Sequence, residues 1–135
     1  MRKDTSKGKL LEKKSSVKDL EKETCLVFSF RHLCPQQGAS FKNWLDDGVL
    51  LDALEKLKGY SNHPYTSTDA TYTIYGNFPP KSKFKHPKYV PEDAKWARIH
   101  VNGKYIICGH LVKNIFYIVF LDSEHGFWIT EKKHT

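Results

Sequence analysis

Arginine is scarce in this chain. Of 22 basic residues only Arg2, Arg31 and Arg98 are arginine. Bidentate reading of base edges leans on arginine's planar fork, so a lysine-dominated surface suits a phosphate backbone better than base readout. Cysteine is scarce as well. Cys25, Cys34 and Cys108 form no C-x-x-C pair and are odd in number, which reads as free thiols in a reducing, cytoplasmic compartment. The seven histidines are scattered without ligand spacing, so neither a structural zinc nor any other metal or cofactor is expected. Long apolar runs are missing. The longest, Ile115 to Leu121, has the length of a strand, where a membrane-spanning helix needs about 20 residues. The basic N-terminus lacks the apolar stretch of a secretory leader. The nucleophile-elbow, P-loop, dinucleotide and H-E-x-x-H motifs are also absent. Acidic pairs such as Asp46-Asp47, Glu92-Asp93 and Asp122/Glu124 give a metal nuclease no support.

What remains is a chain of 135 residues, 39% apolar and 27% charged, with a formal net charge of +7. The length fits one domain, and the composition allows a packed core. The charge points to an anionic partner: nucleic acid, an acidic protein or an anionic surface. Simple solubility is the plain alternative.

The first 23 residues are lysine-rich and polar, either a disordered lead-in or a basic arm that docks on a partner. Residues 24–135 are read as the folded domain. Residues 24–33, rich in β-branched and aromatic side chains, predict a strand ended by Pro35. Over 39–58, Phe41, Trp44, Leu45, Val49, Leu50, Leu51, Leu54 and Leu57 recur at helical spacing. Ser40 is the expected N-cap and Gly59 the expected residue past the C-terminus. Asp46-Asp47-Gly48 splits the stretch in two, with Asp47 capping the second helix. A short strand over Thr71 to Tyr75 is weighed within an aromatic, turn-rich segment. Residues 81–95 form a basic loop, long enough to suggest a function. Two alternating runs, Ala94 to Val101 and Lys104 to His110, flank Asn102-Gly103, a strong hairpin signal. A third strand follows at Ile115 to Leu121. The fold class is therefore α+β: an N-terminal strand, two helices, then an antiparallel meander preceded by the extra basic loop.

A two-residue Asn102-Gly103 turn pairs His100 with Tyr105 and puts Trp96, Arg98, His100 and Tyr105 on one face. Phe116, Ile118 and Phe120 join them. Ala97, Ile99, Val101, Ile106 and Cys108 form the other, core face, with Tyr117, Val119 and Leu121. A part-apolar, part-cationic face beside a basic loop resembles the floor of a site. Lysine, arginine, histidine and tyrosine without a metal motif suit phosphodiester chemistry on RNA. A base takes the 2′-hydroxyl proton, an acid serves the leaving 5′-oxygen, and cations stabilise the transition state. His100 and His125, the latter just past the last strand, are the expected acid and base, with Arg98 and Lys85 as catalytic cations. Lys81, Lys83, His86, Lys88, Lys104, Tyr105 and Trp96 are the expected RNA contacts. His110 ranks below these because it falls toward the core. His32, His63 and His134 have no supporting context.

Trp96 to Cys108, reading W-A-R-I-H-V-N-G-K-Y-I-I-C, and Phe116 to His125, reading F-Y-I-V-F-L-D-S-E-H, resemble the RelE/ParE/HigB-like toxins of bacterial toxin–antitoxin systems. The resemblance implies a strand, two helices and a meander. It also implies an mRNA endonuclease, free or ribosome-dependent, held inactive by an antitoxin. By position His100 matches a basic residue before the turn, Lys104 and Tyr105 match the turn, and His125 matches a terminal histidine. Lys83, Lys85 and Lys88 fall where the family supplies cations ahead of the meander. Ile106 and His110 stand where the family has arginines, and the segment from Tyr60 to Pro91 is longer than usual. A non-catalytic module with the same fold, binding RNA or a partner protein, is the competing expectation.

Overall fold

A computed structural model describes residues 16–129 apart from Lys22. Most of the basic arm, and His134, lie outside the described residues. The rest is an α+β arrangement of three helices and one mixed five-stranded sheet. In chain order the elements are α1 (Val17–Glu21), β1 (Val27–Ser29), α2 (Phe41–Asp46), α3 (Leu50–Tyr60), β2 (Tyr72–Gly76), β3 (Lys95–Asn102), β4 (Tyr105–Val112) and β5 (Ile115–Asp122). The sheet order is β1-β5-β4-β3-β2. β2 to β5 run antiparallel to their neighbours, and β1 adds to β5 in parallel.

The helices form where the apolar spacing places them. Ser40 caps α2: its hydroxyl accepts from the Asn43 amide at 3.0 Å, and Asn43 Oδ1 accepts from the Ser40 amide at 2.9 Å. This reciprocal box satisfies two donors that a helix start leaves free. Two expectations about the helix ends are corrected. Asp47 closes α2 rather than starting α3, whose N-cap Val49 has no side-chain bond, and Gly59 lies inside α3, which is capped at its C-terminus by Ser61. Gly48 takes φ +79° between the helices, a conformation that glycine adopts without strain. The first strand is shorter than 24–33, because only Val27–Ser29 reaches β5.

Helices α2 and α3 cover one face of the sheet. Trp44, Val49, Ala53 and Leu57 pack there against Ala97, Ile99, Val101, Ile107, Leu111, Phe116, Ile118 and Leu121. The opposite face is covered by irregular chain. Val90, Phe78 and Phe84 from the segment after β2, and Phe127 from the end of the chain, pack on Trp96, Ile106, Cys108, Val119 and Phe120. β4 and β5 are thus buried on both sides. This accounts for the near-continuous apolar run of β5, since a strand covered on both faces need not alternate.

The register differs from the expected one in two places. The hairpin turn is Gly103-Lys104, not Asn102-Gly103: Asn102 pairs with Tyr105, His100 with Ile106 and Arg98 with Cys108. Gly103 has φ +50°, as the first central residue of a type II′ turn does. The ladder slips by one residue between His100 and Asn102. A second slip leaves Val119 unpaired on β5 between Ile118, opposite Gly109, and Phe120, opposite Cys108. Because side chains alternate, a one-residue slip moves everything beyond it to the other face. Tyr105 therefore joins the helix side, as do Phe116 and Ile118, while Ile106 and Cys108 share the face of Arg98 and His100. The Val119 carbonyl, freed from the ladder, accepts from the Cys34 amide at 2.8 Å.

Candidate functional site

The site is built around the end of β3 and the turn after β5. Arg98 and His100, two residues apart on β3, are half-buried on the face away from the helices. Nε2 of His100 lies 2.6 Å from the Gly103 carbonyl. A carbonyl only accepts, so Nε2 carries the proton and Nδ1 is the basic nitrogen of the neutral ring.

Asp122, at the end of β5, brings His125 to the same place. Its carboxylate is 1% exposed. It accepts from the amides of Glu124 and Gly126 at 3.0 Å each and of Phe127 at 2.8 Å. Three amides drawn onto one carboxylate turn the chain back over the sheet and seat Phe127 against Trp96, with ring centroids 5.6 Å apart. The turn holds His125 at φ +55°, left-handed backbone that strains a residue other than glycine. Its ring centroid comes to 6.4 Å from that of His100.

The basic loop is pegged to this face. Phe84 stacks on Phe120 at 4.4 Å. The Lys83 amide donates to the Gly126 carbonyl at 2.8 Å. The Gln37 side chain forms a pair of bonds with Lys85, accepting from its amide at 2.7 Å and donating to its carbonyl at 2.9 Å. Lys81, Lys83, Lys85 and Lys88 all have exposed side chains.

Among the expected residues, His100, His125 and Arg98 come together, with Lys104 at the rim, 3.5 Å from Glu124. Others do not join them. Trp96 is fully buried, so it is a core residue and offers no surface for stacking a base. Tyr105 donates to Asp47 at 3.1 Å and meets Trp44 edge-on at 5.7 Å, on the opposite face from His100. His86 is half-buried against Phe78 and Trp96, with Nδ1 2.9 Å from the Pro87 carbonyl. Lys85 is tied through its backbone to Gln37, and its side chain is exposed.

Arg98 puts a half-buried positive charge on this face. Its Nε is buried without a hydrogen-bond partner. Burial pushes the Tyr75 hydroxyl up to about 12 and the Cys108 thiol well above its usual range, and in both cases the Arg98 charge pulls the other way. Asp122 and Gln37, which position the site, had no place among the expected residues. An aspartate closing an apolar strand two residues before the next acid is the local signal for such a turn.

A second cluster lies under the loop. His32 Nδ1 and His110 Nε2 are 3.0 Å apart, and both rings stack near Tyr117, at 4.3 and 5.2 Å. His110 is 1% exposed. Burial, with facing His32 and His86, holds its pKa down at about 4. Burial and nearby Arg31 lower that of His32. Among the described residues no group of three or more His, Cys, Asp or Glu could hold a metal ion. No helix among them is long and apolar enough to cross a membrane. Comparisons with protein-family models, curated proteins and solved structures find no match for this chain.

Proposed function

We propose that this protein acts on RNA in the manner of a RelE-like toxin: a cytoplasmic mRNA endonuclease, metal-independent and restrained by a partner antitoxin. The observation that carries the reading is the approach of His100 and His125, 6.4 Å between ring centroids, on the face that holds Arg98. In this reading Nδ1 of His100 takes the 2′-hydroxyl proton and His125 protonates the leaving 5′-oxygen. Arg98 and Lys104 offset the charge of the transition state, and the exposed loop lysines hold the phosphate backbone. Such acid–base help is worth roughly two to four powers of ten. Charge stabilisation supplies about two to three more.

One observation favours a non-catalytic RNA- or partner-binding module instead. Ile106 and His110, which stand where the resembling family has arginines, are 2% and 1% exposed. Neither position can present a cation to a substrate.

Labelled RNA incubated with the purified protein, with and without translating ribosomes and in the presence of EDTA, separates the two. Cleavage that leaves 2′,3′-cyclic phosphate ends, and that falls by about a hundredfold in His100→Ala and in His125→Ala, supports the enzyme. Full activity in both variants refutes the assignment. Uncleaved RNA retained on a gel, with retention that weakens steeply as salt rises, identifies the binding module, because phosphate contacts release counterions. Absence of RNA binding at low salt removes the enzyme and the RNA-binding module alike and leaves only a module that binds a partner protein.

A further inference from the structure

A cavity of about 420 Å³ opens beside the turn that carries His125. Phe84, anchored by its stacking on Phe120, supplies an aromatic wall. Around it stand groups of opposite sign: the exposed carboxylates of Asp47 and Glu124, and the exposed ammonium of Lys83. The Lys83 stem runs close along Gly126, where an added Cβ would sit 3.3 Å from Lys83 Cδ.

Two carboxylates are unexpected on this side of the molecule. Residues 81–104 hold seven cations and only two acids, Glu92 and Asp93; Glu124 pairs with one of those cations, Lys104, at 3.5 Å, and a phosphate chain crossing that surface gains nothing from Asp47 and Glu124. A base edge with adjacent N–H donors does gain. Guanine alone among the four RNA bases offers N1–H and N2–H side by side, next to O6, which accepts. A carboxylate takes the two donors as it takes a guanidinium, and an ammonium takes O6.

We infer that this cavity binds a guanine base, stacked on Phe84, with its donor edge toward Asp47 and Glu124 and O6 toward Lys83. Glu124 and Gly126 both line the cavity and flank His125, so a bound base lies next to the turn that carries this histidine. RNA is then engaged next to a guanosine. The inference rests on the RNA reading above, and the experiment keeps the two apart.

Affinities are measured for the single-stranded RNAs UUGUU, UUAUU and UUIUU, where inosine keeps O6 and N1–H but lacks the N2 amine, and for guanosine and adenosine 5′-monophosphates. UUGUU is expected to bind at least about tenfold tighter than UUAUU, with UUIUU between them. Asp47→Asn and Lys83→Met should each collapse that ratio toward unity. Tyr105→Phe loses the hydroxyl bond to Asp47 but keeps the carboxylate, so it should keep the preference and serve as the folding control. Equal binding of UUGUU and UUAUU overturns the guanine site and leaves the RNA reading standing. Guanosine monophosphate bound in preference to adenosine monophosphate, with no RNA bound, keeps the guanine site and sinks the RNA reading. No binding of any probe overturns both.

Discussion

The buried pair His32–His110 predicts a specific acid sensitivity. His110 keeps a pKa of about 4 in the folded chain, while the unfolded chain titrates it near 6.5. Between those values the unfolded state binds the extra proton and the folded state does not, so stability falls as the pH falls. The contribution is complete above pH 6.5 or so and is lost by the time the pH passes the folded value. At 1.36 kcal/mol per pH unit, the gap amounts to about 3 kcal/mol, of which about 2 kcal/mol is gone by pH 5. The cause is geometric. His110 lies at 1% exposure between β3 and β5, its Nε2 against His32 and its other ring nitrogen buried without a partner. The titratable groups beside it are His32, with Arg31 next in the chain, His86 and the stacked Tyr117, and none of them supplies a negative charge to offset a protonated ring.

Urea unfolding of the wild type and of His110→Gln, followed from pH 7 to pH 5, isolates this one group, because carboxylates and the other histidines titrate in both proteins. The wild type should lose about 2 kcal/mol more than the variant, a difference of about 1 M in midpoint for a slope of 1–3 kcal/mol per M. Midpoints that fall in parallel, within about 0.5 kcal/mol, would show that His110 does not carry the titration and that the buried histidine pair is not held neutral by its surroundings.

Two further outcomes follow from the backbone. A Cβ at Gly109 would overlap the Tyr117 carbonyl and the Phe116 ring, so Gly109→Ala should destabilise by about 3 kcal/mol, as severe overpacking does; a melting temperature within a degree or two of wild type would refute the bulged register there. His125→Gly relieves the left-handed backbone at φ +55° and should hold or raise stability by up to about 1 kcal/mol, while RNA cleavage is lost; His125→Ala should lose cleavage with no gain in stability, and retention of cleavage by both would remove the histidine from the mechanism.

The elements were far more legible than their register. Helices α2 and α3 follow from the spacing of Trp44, Val49, Leu50 and Leu57, and β3 to β5 from apolar runs separated by short turns. The bulges were not legible. Nothing local to Val119 says that Ile118 and Phe120 both pair while it does not; Gly109, which has no room for a side chain, is the only trace of the slip. The turn at Gly103-Lys104 differs by one residue from the Asn102-Gly103 signal. That single step moved Tyr105 to the helix side and left His100 and Arg98 where they were expected. The pairing of His32 with His110 joins residues 78 apart, and it depends on which face β4 turns inward. His125 and His100 were singled out from the sequence, but the Asp122 carboxylate that brings them together could be seen only once its three amide donors were in place.

The second covered face explains where this chain can and cannot put charge. Because β4 and β5 are buried on both sides, a cation on either strand would lie in a core, and the positions of Ile106 and His110 are closed to arginine for that reason alone. Charge must come from places that leave the sheet: the end of β3 beyond its last pairing with β2 at Ile99, the turns that carry Lys104 and His125, and the loop that covers the lower face. A long basic side chain in that loop can pack its stem along a neighbouring backbone, as Lys83 does at Gly126, while its charge stays in water. Arg98 is the one guanidinium that β3 presents from within the sheet.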